Sequence, residues 1–396
     1  MFNTESQTPL LGEGSPLDAA SKALVVELFE REQQLMAALP SDDPLDPKRR
    51  RRVDFTLPEI LEQPEVIRTT LHLERSAIAA AAQTIATSGL RRICMTGCGD
   101  SLAVMTGARI LLEEMTGLPC EPIQALDLAY YQHQTLRPDV LVITLSSSGT
   151  TTRTVEALMM ARARGAQTLA LSNTPGSALM TQSDHGLTIH AQRKGWPTQA
   201  STAAMALLCQ LALDIGTALG RDPARVATLQ AALDAVPDQI AQVIADHQDR
   251  IAAIAAAEAG RSVYLFAGGG PSFAATLFGA AKVKECTPDH AIAIPVEEFH
   301  HYNSQKAGDP LILIAPQGPS VPRAYDSAFE GHRWGGKVYA VVTEGERRFD
   351  GVADAVLHLP AMPEALSALV YTIPVQLFAY HLAMAKFRAA EAALCV

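Results

Sequence analysis

The stretch Leu141–Leu158, LVITLSSSGTTTRTVEAL, decides how this chain reads. Leu141–Leu145 is an unbroken apolar or β-branched run, the pattern of a strand buried on both faces. It runs straight into Ser146, Ser147, Ser148, Gly149, Thr150 and Thr151, and a helical spacing follows through Val155, Leu158, Met159 and Ala161. A buried strand thus ends in a hydroxyl-rich turn that opens a helix. The first N–H groups of a helix lack intrahelical partners and sit at the positive end of its dipole, so such a turn suits an anion. Gly149 lets the backbone approach closely, and the hydroxyls add donors without adding charge. The turn reads as a phosphate cradle, against the plainer alternative of a Ser/Thr cap on a surface turn.

The same strand-turn-helix order extends to both sides. Arg92–Thr96 is a short strand ending in GCGDS (Gly97–Ser101), with a helix expected through Leu112. Asp139–Leu145 is the next strand, Thr152–Arg164 the next helix, and Ala166–Leu171 a strand ending in SNTPGS. Gly186–His190 is a further strand before an irregular loop, AQRKGWPTQAS; Ala203–Leu219 is a long apolar helix and Pro223–Ala257 a connecting helical segment. Then the order recurs. Gly97–Gly99 and Ser101 match Gly268–Gly270 and Ser272 at an offset of 171, while Asp139 with LVITL matches Asp309 with LILIA at 170. Gly165 and its following strand match Gly335 and KVYAVV, again at 170. Landmarks at nearly one offset indicate two copies of one α/β unit, each a parallel sheet covered by helices. Ligands of such sheets bind beyond the carboxyl ends of the strands, where GCGDS and SSSGTT both fall.

The copies diverge where the ligand would sit. Ser146–Thr151 is replaced by PQGPSV (Pro316–Val321), so the cradle belongs to the first copy. The second copy carries ionisable residues in GAAKVKECTPDHAIAIPVEEFHHYNSQ (Gly279–Gln305): Lys282 and Glu285 share a helix face, and Glu297, Glu298, His300 and His301 follow in a cluster. Ahead of the first copy, an arm holds an amphipathic helix (Ala19–Leu39), SDDPLDPK and the run Arg49–Arg52, read as a solvated charge run or a subunit clamp. FTLPEILEQPEVIRTTL suggests a short helical lead-in before a helix through Ile85. The division is an arm over 1–54, a cradle-bearing domain over 55–222, a connecting helix over 223–257 and a second domain over 258–396.

Composition bounds the function. At 396 residues, 48% hydrophobic and 19% charged, the chain has the make-up of a two-domain α/β protein with a sizeable subunit interface. A net charge of −10 argues against nucleic-acid binding, so attraction for an anionic substrate must be local. No membrane span or targeting leader is read from the sequence. Cys94, Cys98, Cys120, Cys209, Cys286 and Cys395 have no framework or metal-ligand spacing and read as reduced cytoplasmic thiols.

A sugar phosphate needs an anchor for its phosphate and, for aldose–ketose conversion, a base moving a proton between C1 and C2. A carboxylate partly shielded from water suits that transfer, and a histidine can open the ring. Glu285 and His301 could serve, although from the bare residues Glu285 reads at least as well as a solvated residue near a helix end. Of His300 and His301, one could be structural and one functional. A metal site using Glu297, Glu298, His300, His301 and His290 lacks any H-x-x-x-H or C-x-x-C spacing. A dinucleotide fingerprint is incomplete in both TGCGDS and AGGGPS. Neither a metal nor a cofactor is expected.

CGDS, ITLSSSGTT, LSNTPGS and GAAKVKECTPDHAIAIPVEEFHH, in this order and spacing, resemble the sugar isomerase (SIS) superfamily. The resemblance is closest to the tandem-SIS isomerase half of glucosamine-6-phosphate synthase and runs from about Phe55 to Ala385. It implies two tandem SIS domains, each a flavodoxin-like, Rossmann-like three-layer sandwich. It implies that Ser101, Ser146, Ser147, Ser148 and Thr151 hold the phosphate, and that Cys98, Gly99, Gln199, Ala200 and Ser201 line the sugar. It further implies Glu285 as the proton-transferring base with Lys282 beside it, and His301 assisting ring opening. In relatives that histidine reaches a neighbouring subunit's site, which implies a homodimer or a dimer of dimers with shared sites.

Departures narrow the expectation. No glutaminase domain and no C-terminal tail with a Schiff-base lysine are read in this sequence, and RKGWPT stands where relatives often carry an acid. Arg193, Lys194 and Trp196 suggest a different substituent on the sugar, such as a carboxylate. These features favour a stand-alone isomerase, an amino-sugar-phosphate deaminase or a deglycase over aminotransfer. The alternative is a non-catalytic sugar-phosphate-binding regulator on the same fold. The short, proline-broken arm makes no convincing helix-turn-helix, and a regulator has no need of Glu285 with His301.

Overall fold

The computed structural model describes residues 8–302 and 304–394; residues 1–7 of the arm and Cys395 lie outside the described residues. Two helices, α1 (Ala19–Ala37) and α2 (Pro47–Leu61), lead into α3 (Gln63–Thr87). Then come β1 (Arg92–Gly97), α4 (Asp100–Thr116), β2 (Cys120–Gln124), the single turn α5 (Ala125–Asp127), β3 (Val140–Leu145) and α6 (Thr152–Ala163). β4 (Gln167–Ser172), the short α7 (Ala178–Thr181), β5 (His185–Thr188) and α8 (Gln199–Ala218) complete the first unit, and α9 (Pro223–Ala257) leads to the second. The second unit runs β6 (Val263–Gly268), α10 (Ser272–Cys286), β7 (His290–Pro295), α11 (Glu298–His301), β8 (Pro310–Ala315) and α12 (Val321–Arg333). It ends with β9 (Lys337–Thr343), β10 (Ala355–Leu359), α13 (Ser367–Tyr371) and α14 (Ile373–Ala393). Helix starts follow the local chemistry. Asp46 Oδ1 accepts from Lys48 N at 2.8 Å and Asp222 Oδ1 from Ala224 N at 3.1 Å, each just ahead of a proline at the first helical position.

Both sheets are wholly parallel. The first has the order β2-β1-β3-β4-β5 and the second β7-β6-β8-β9-β10, the same order element for element. Side chains alternate between faces. Ile93, Met95, Leu141 and Ile143 point to one core and Cys94, Val140 and Val142 to another. The inner faces of both sheets share a single apolar core with α3, α4, α8, α9, α10 and α14 between them. Each buried Leu or Ile there contributes about 1.5–3 kcal/mol relative to exposure. The outer face of the first sheet is covered by α1 and α6, and that of the second by α12. The site follows from this order. The chain reverses direction across the sheet between β1 and β3, with α4 on the inner face and α6 on the outer, which opens a crevice at their carboxyl ends.

Several expectations are corrected. β2, β7 and β10 were not anticipated; all three are edge strands, β2 and β10 are five residues long with Pro122 inside β2, and β7, though apolar from Ala291 to Pro295, is mostly not buried. Helix α4 runs a turn past Leu112 to Thr116, and α8 begins at Gln199 rather than Ala203, so Gln199–Ser201 form its first turn. Of the Arg49–Arg52 run only Arg51 is exposed; Arg49 and Arg52 are packed against the protein rather than solvated. Arg49 is 4% exposed and donates to the carbonyls of Asp43 (2.8 Å) and Ser41 (2.5 Å), while Arg52 lies 3.6 Å over Trp196 and donates to Gly195 O at 3.0 Å. Helix α2 accordingly runs through position 54 without a break. α8 and the segment Glu364–Ala393 reach membrane-spanning length and hydropathy, contrary to the sequence reading, but their apolar windows are 83% and 78% buried in the core.

Candidate active site

The cradle is cross-linked by its own hydroxyls. Ser146, 1% exposed, places Oγ 2.8 Å from Thr151 Oγ1 and 3.3 Å from Ser148 Oγ, and it accepts from Gly149 N at 3.1 Å. Ser147 Oγ donates to Asn173 Oδ1 at 2.8 Å, tying the turn to the loop after β4. Gly149 has φ +67, and a Cβ there would meet Ser177 Oγ at 1.9 Å; only glycine fits both the backbone and the space. At the end of β1, a Cβ on Gly97 would stand 2.5 Å from Ser101 Cβ, so the glycine lets α4 start against the sheet. Ser101 is thereby brought to the mouth of the same crevice.

The second unit brings ionisable groups to the same crevice. Helix α10 packs against α4 and carries Lys282 and Glu285 to the cradle. Lys282 is 1% exposed; its Nζ lies 2.6 Å from Asp100 Oδ2 and in close contact with Glu285 Oε2. Glu285 is 30% exposed and faces a cavity of about 220 Å³. Burial, with the Asp100 carboxylate adding to it, pushes the Glu285 carboxyl above its usual range against the pull of Lys282 and Arg52. Burial opposes the Lys282 charge, but the two carboxylates hold its proton more tightly than normal. The Cys98 thiol, on the cavity wall, is pushed up by burial and is therefore a poor nucleophile.

Of the residues singled out in the sequence, Cys98, Gly99, Ser101, Ser147, Ser148, Thr151, Ala200, Ser201 and Glu285 line this one cavity. Ser146 supports the turn from beneath and Lys282 lies behind Glu285. Gln199 does not line it. Its side chain is fully buried, with both amide atoms unpartnered among the described residues. His301 is 60% exposed on α11, with Glu297 3.7 Å away, and does not reach the cavity of its own chain. His300 is the more buried of that pair, its side chain 11% exposed between Glu330 Oε2 at 3.2 Å and Ser327 Oγ at 3.0 Å. Among Arg193, Lys194 and Trp196, only Arg193 lines the cavity; Trp196 is 6% exposed beneath Arg52, and Lys194 lies 6.0 Å over Phe55.

Asp100 was missed, although it stands inside GCGDS between Gly99 and Ser101. Its partner is 182 residues away in the chain, so no local pattern marks it. Elsewhere, a hollow of about 460 Å³ opens at the ends of β8 and β9, where the second unit lacks the hydroxyl turn. It presents Glu344 and Glu346, and its Arg348 is already paired with Glu346 at 2.5 Å, so no free anion cradle remains there. Among the described residues, no three His, Cys, Asp or Glu side chains converge as a metal would require.

Two parallel α/β units with a hydroxyl cradle at the first switch point define a sugar-isomerase-type fold. The chain belongs to the SIS domain family, whose model matches residues 88–213 and 258–386. The isomerizing glutamine–fructose-6-phosphate aminotransferase of Pseudomonas aeruginosa is 31% identical over 346 residues, covering 84% of this chain and 56% of that protein. The chain thus spans about half the length of the curated relatives it matches. Among solved structures, the C-terminal domain of glucosamine-fructose-6-phosphate aminotransferase from Francisella tularensis superposes with a TM-score of 0.75 at 23% identity, covering 84% of this chain and 96% of that one. A glucosamine-6-phosphate deaminase from Thermotoga maritima gives 0.64 at 19% identity, covering 83% and 94%. At these identities the two structures speak to the fold.

Proposed function

We propose that this protein is a phosphosugar isomerase-type enzyme. It moves a proton between C1 and C2 of a hexose 6-phosphate or of an amino-sugar 6-phosphate derivative. The observation that carries this reading is the meeting of Ser101, Ser147, Ser148 and Thr151 from the first unit with Glu285 from the second in one cavity. The phosphate accepts hydrogen bonds from the hydroxyls and from the first N–H groups of α4 and α6, which anchors the sugar without a neutralising cation. The reacting carbons then face α10. Glu285 removes the proton from one carbon, and the C–H electron pair forms the C1–C2 double bond of an enediolate as the carbonyl oxygen takes up the charge. A proton shifts between the two oxygens, and Glu285 returns its proton to the other carbon. A carboxyl held above its usual range is a stronger base than a free carboxylate and can return the proton it takes. Lys282 offsets negative charge that develops beside Glu285.

Ring opening is assigned to His301 of a second copy, since its exposed position leaves it free to reach across a dimer interface. Arg193 lies on the cavity wall, and a guanidinium there favours a substrate with an anionic group beyond the reacting end. An isomerase, a deaminase and a deglycase all need the same proton transfer. A panel of hexose and amino-sugar 6-phosphates, assayed for isomerisation, amine release and deuterium uptake from D₂O, tests the reading. Turnover of at least one member is expected; binding without any turnover would move the protein to a sugar-phosphate-binding regulator.

A further inference from the structure

Asp100 is a second carboxylate at the base of the cavity, contributed by the opposite half of the molecule from Glu285. Its Oδ2 stands 2.6 Å from Lys282 Nζ, and its Oδ1 is shielded from solvent with no hydrogen-bond partner among the described residues. Lys282 is itself 1% exposed, so one buried ammonium faces two carboxylates. Asp100 begins α4, at the positive end of the helix dipole.

We propose that Asp100 is a positioning residue: by claiming part of the Lys282 ammonium it pins that cation between the two units and leaves the Glu285 charge incompletely compensated. Its use in catalysis rests on the function proposed above; the electrostatic coupling does not. A base fully satisfied by its own lysine would be a weak proton acceptor, whereas one sharing that lysine holds a proton more readily. Lys282 would likewise stay aimed at the cavity wall, because its two anchors lie on different helices.

The groups facing Glu285 are few. Lys282 and Cys286 lie on its own helix, Asp100 on α4, Arg52 on α2 with Glu59 beyond it, and Arg193 on the loop before α8. Neutralising Asp100 removes the acid that competes for Lys282, so the Glu285 carboxyl should titrate lower. Removing Lys282 takes away its nearest cation, so the carboxyl should titrate higher. Loss of structure alone would move both variants the same way, toward an ordinary carboxylate.

The test is a carboxyl ¹³C NMR titration of the full chain labelled at glutamate, with Glu285→Gln identifying the resonance. In Asp100→Asn the midpoint should fall by about one pH unit, in Lys282→Met it should rise, and in Asp100→Glu it should stay near wild type. Asp100→Thr, also neutral, serves if Asp100→Asn does not fold. An unchanged midpoint in the neutral variants, or shifts of one sign in the Asp100 and Lys282 variants, would overturn the proposal. Opposite shifts in a protein that turns over no sugar phosphate would leave the coupling standing and reject the proposed function.

Discussion

Replacing Gly149 with alanine asks whether the cradle is shaped by close packing or merely by hydroxyl content. Two costs arise. A non-glycine residue at φ +67 costs about 1 kcal/mol in backbone strain. The new Cβ would also press to 1.9 Å from Ser177 Oγ and 2.3 Å from Ser177 Cβ, a clash with the body of a side chain. Overpacking of that kind costs about 1–3 kcal/mol more. Gly89 supplies an internal control, because it has the same φ of +67 with nothing within 4 Å of its ideal Cβ. Gly89→Ala should show the strain alone. Urea unfolding of the two variants should therefore differ by about 1–3 kcal/mol, and only Gly149→Ala should weaken binding of a sugar phosphate. Equal destabilisation by the two changes, with phosphate binding intact in both, would refute the packed-cradle geometry.

Other outcomes follow from the same site. Ser148→Ala should weaken a sugar phosphate by about 1–2 kcal/mol in titration calorimetry, while leaving any binding of the unphosphorylated sugar unchanged; equal losses for both would remove the phosphate from the cradle. If His301 completes a neighbour's site, mixing Glu285→Gln with His301→Ala subunits should restore activity, since one of the two sites in such a dimer is intact. No recovery in verified mixed dimers would mean that each subunit works alone.

The central architecture was legible because its signals are local. β1, β3, β4, β8 and β9 are apolar runs ended by turn residues, and the near-constant offset between halves exposed two matching units. Three of the four edge strands gave no such signal: β2 is broken by Pro122, β7 leaves Ile292 49% exposed, and β10 packs at the other margin of its sheet. The cradle was legible for the same reason as the strands, since its donors are adjacent in the chain. What sequence could not reveal was set by distant contacts. Arg52 stacking on Trp196 turned two residues that read as a charge run and a sugar contact into packing, and Asp100 meets Lys282 only through the packing of α4 against α10. Glu285 read as readily as solvated until α10 was seen packed against α4.

The most direct measurement is proton exchange at the reacting carbons in Glu285→Gln, because the amide matches the carboxylate in size but cannot take a proton. With a sugar phosphate that the wild type turns over in D₂O, deuterium should enter C1 or C2 with the native protein. The variant should fold, bind the sugar phosphate, and lose exchange and turnover by about 10²–10⁴-fold, the scale of general-base assistance. A stable Glu285→Gln protein that exchanges deuterium at the native rate would contradict the assignment of Glu285 as the base.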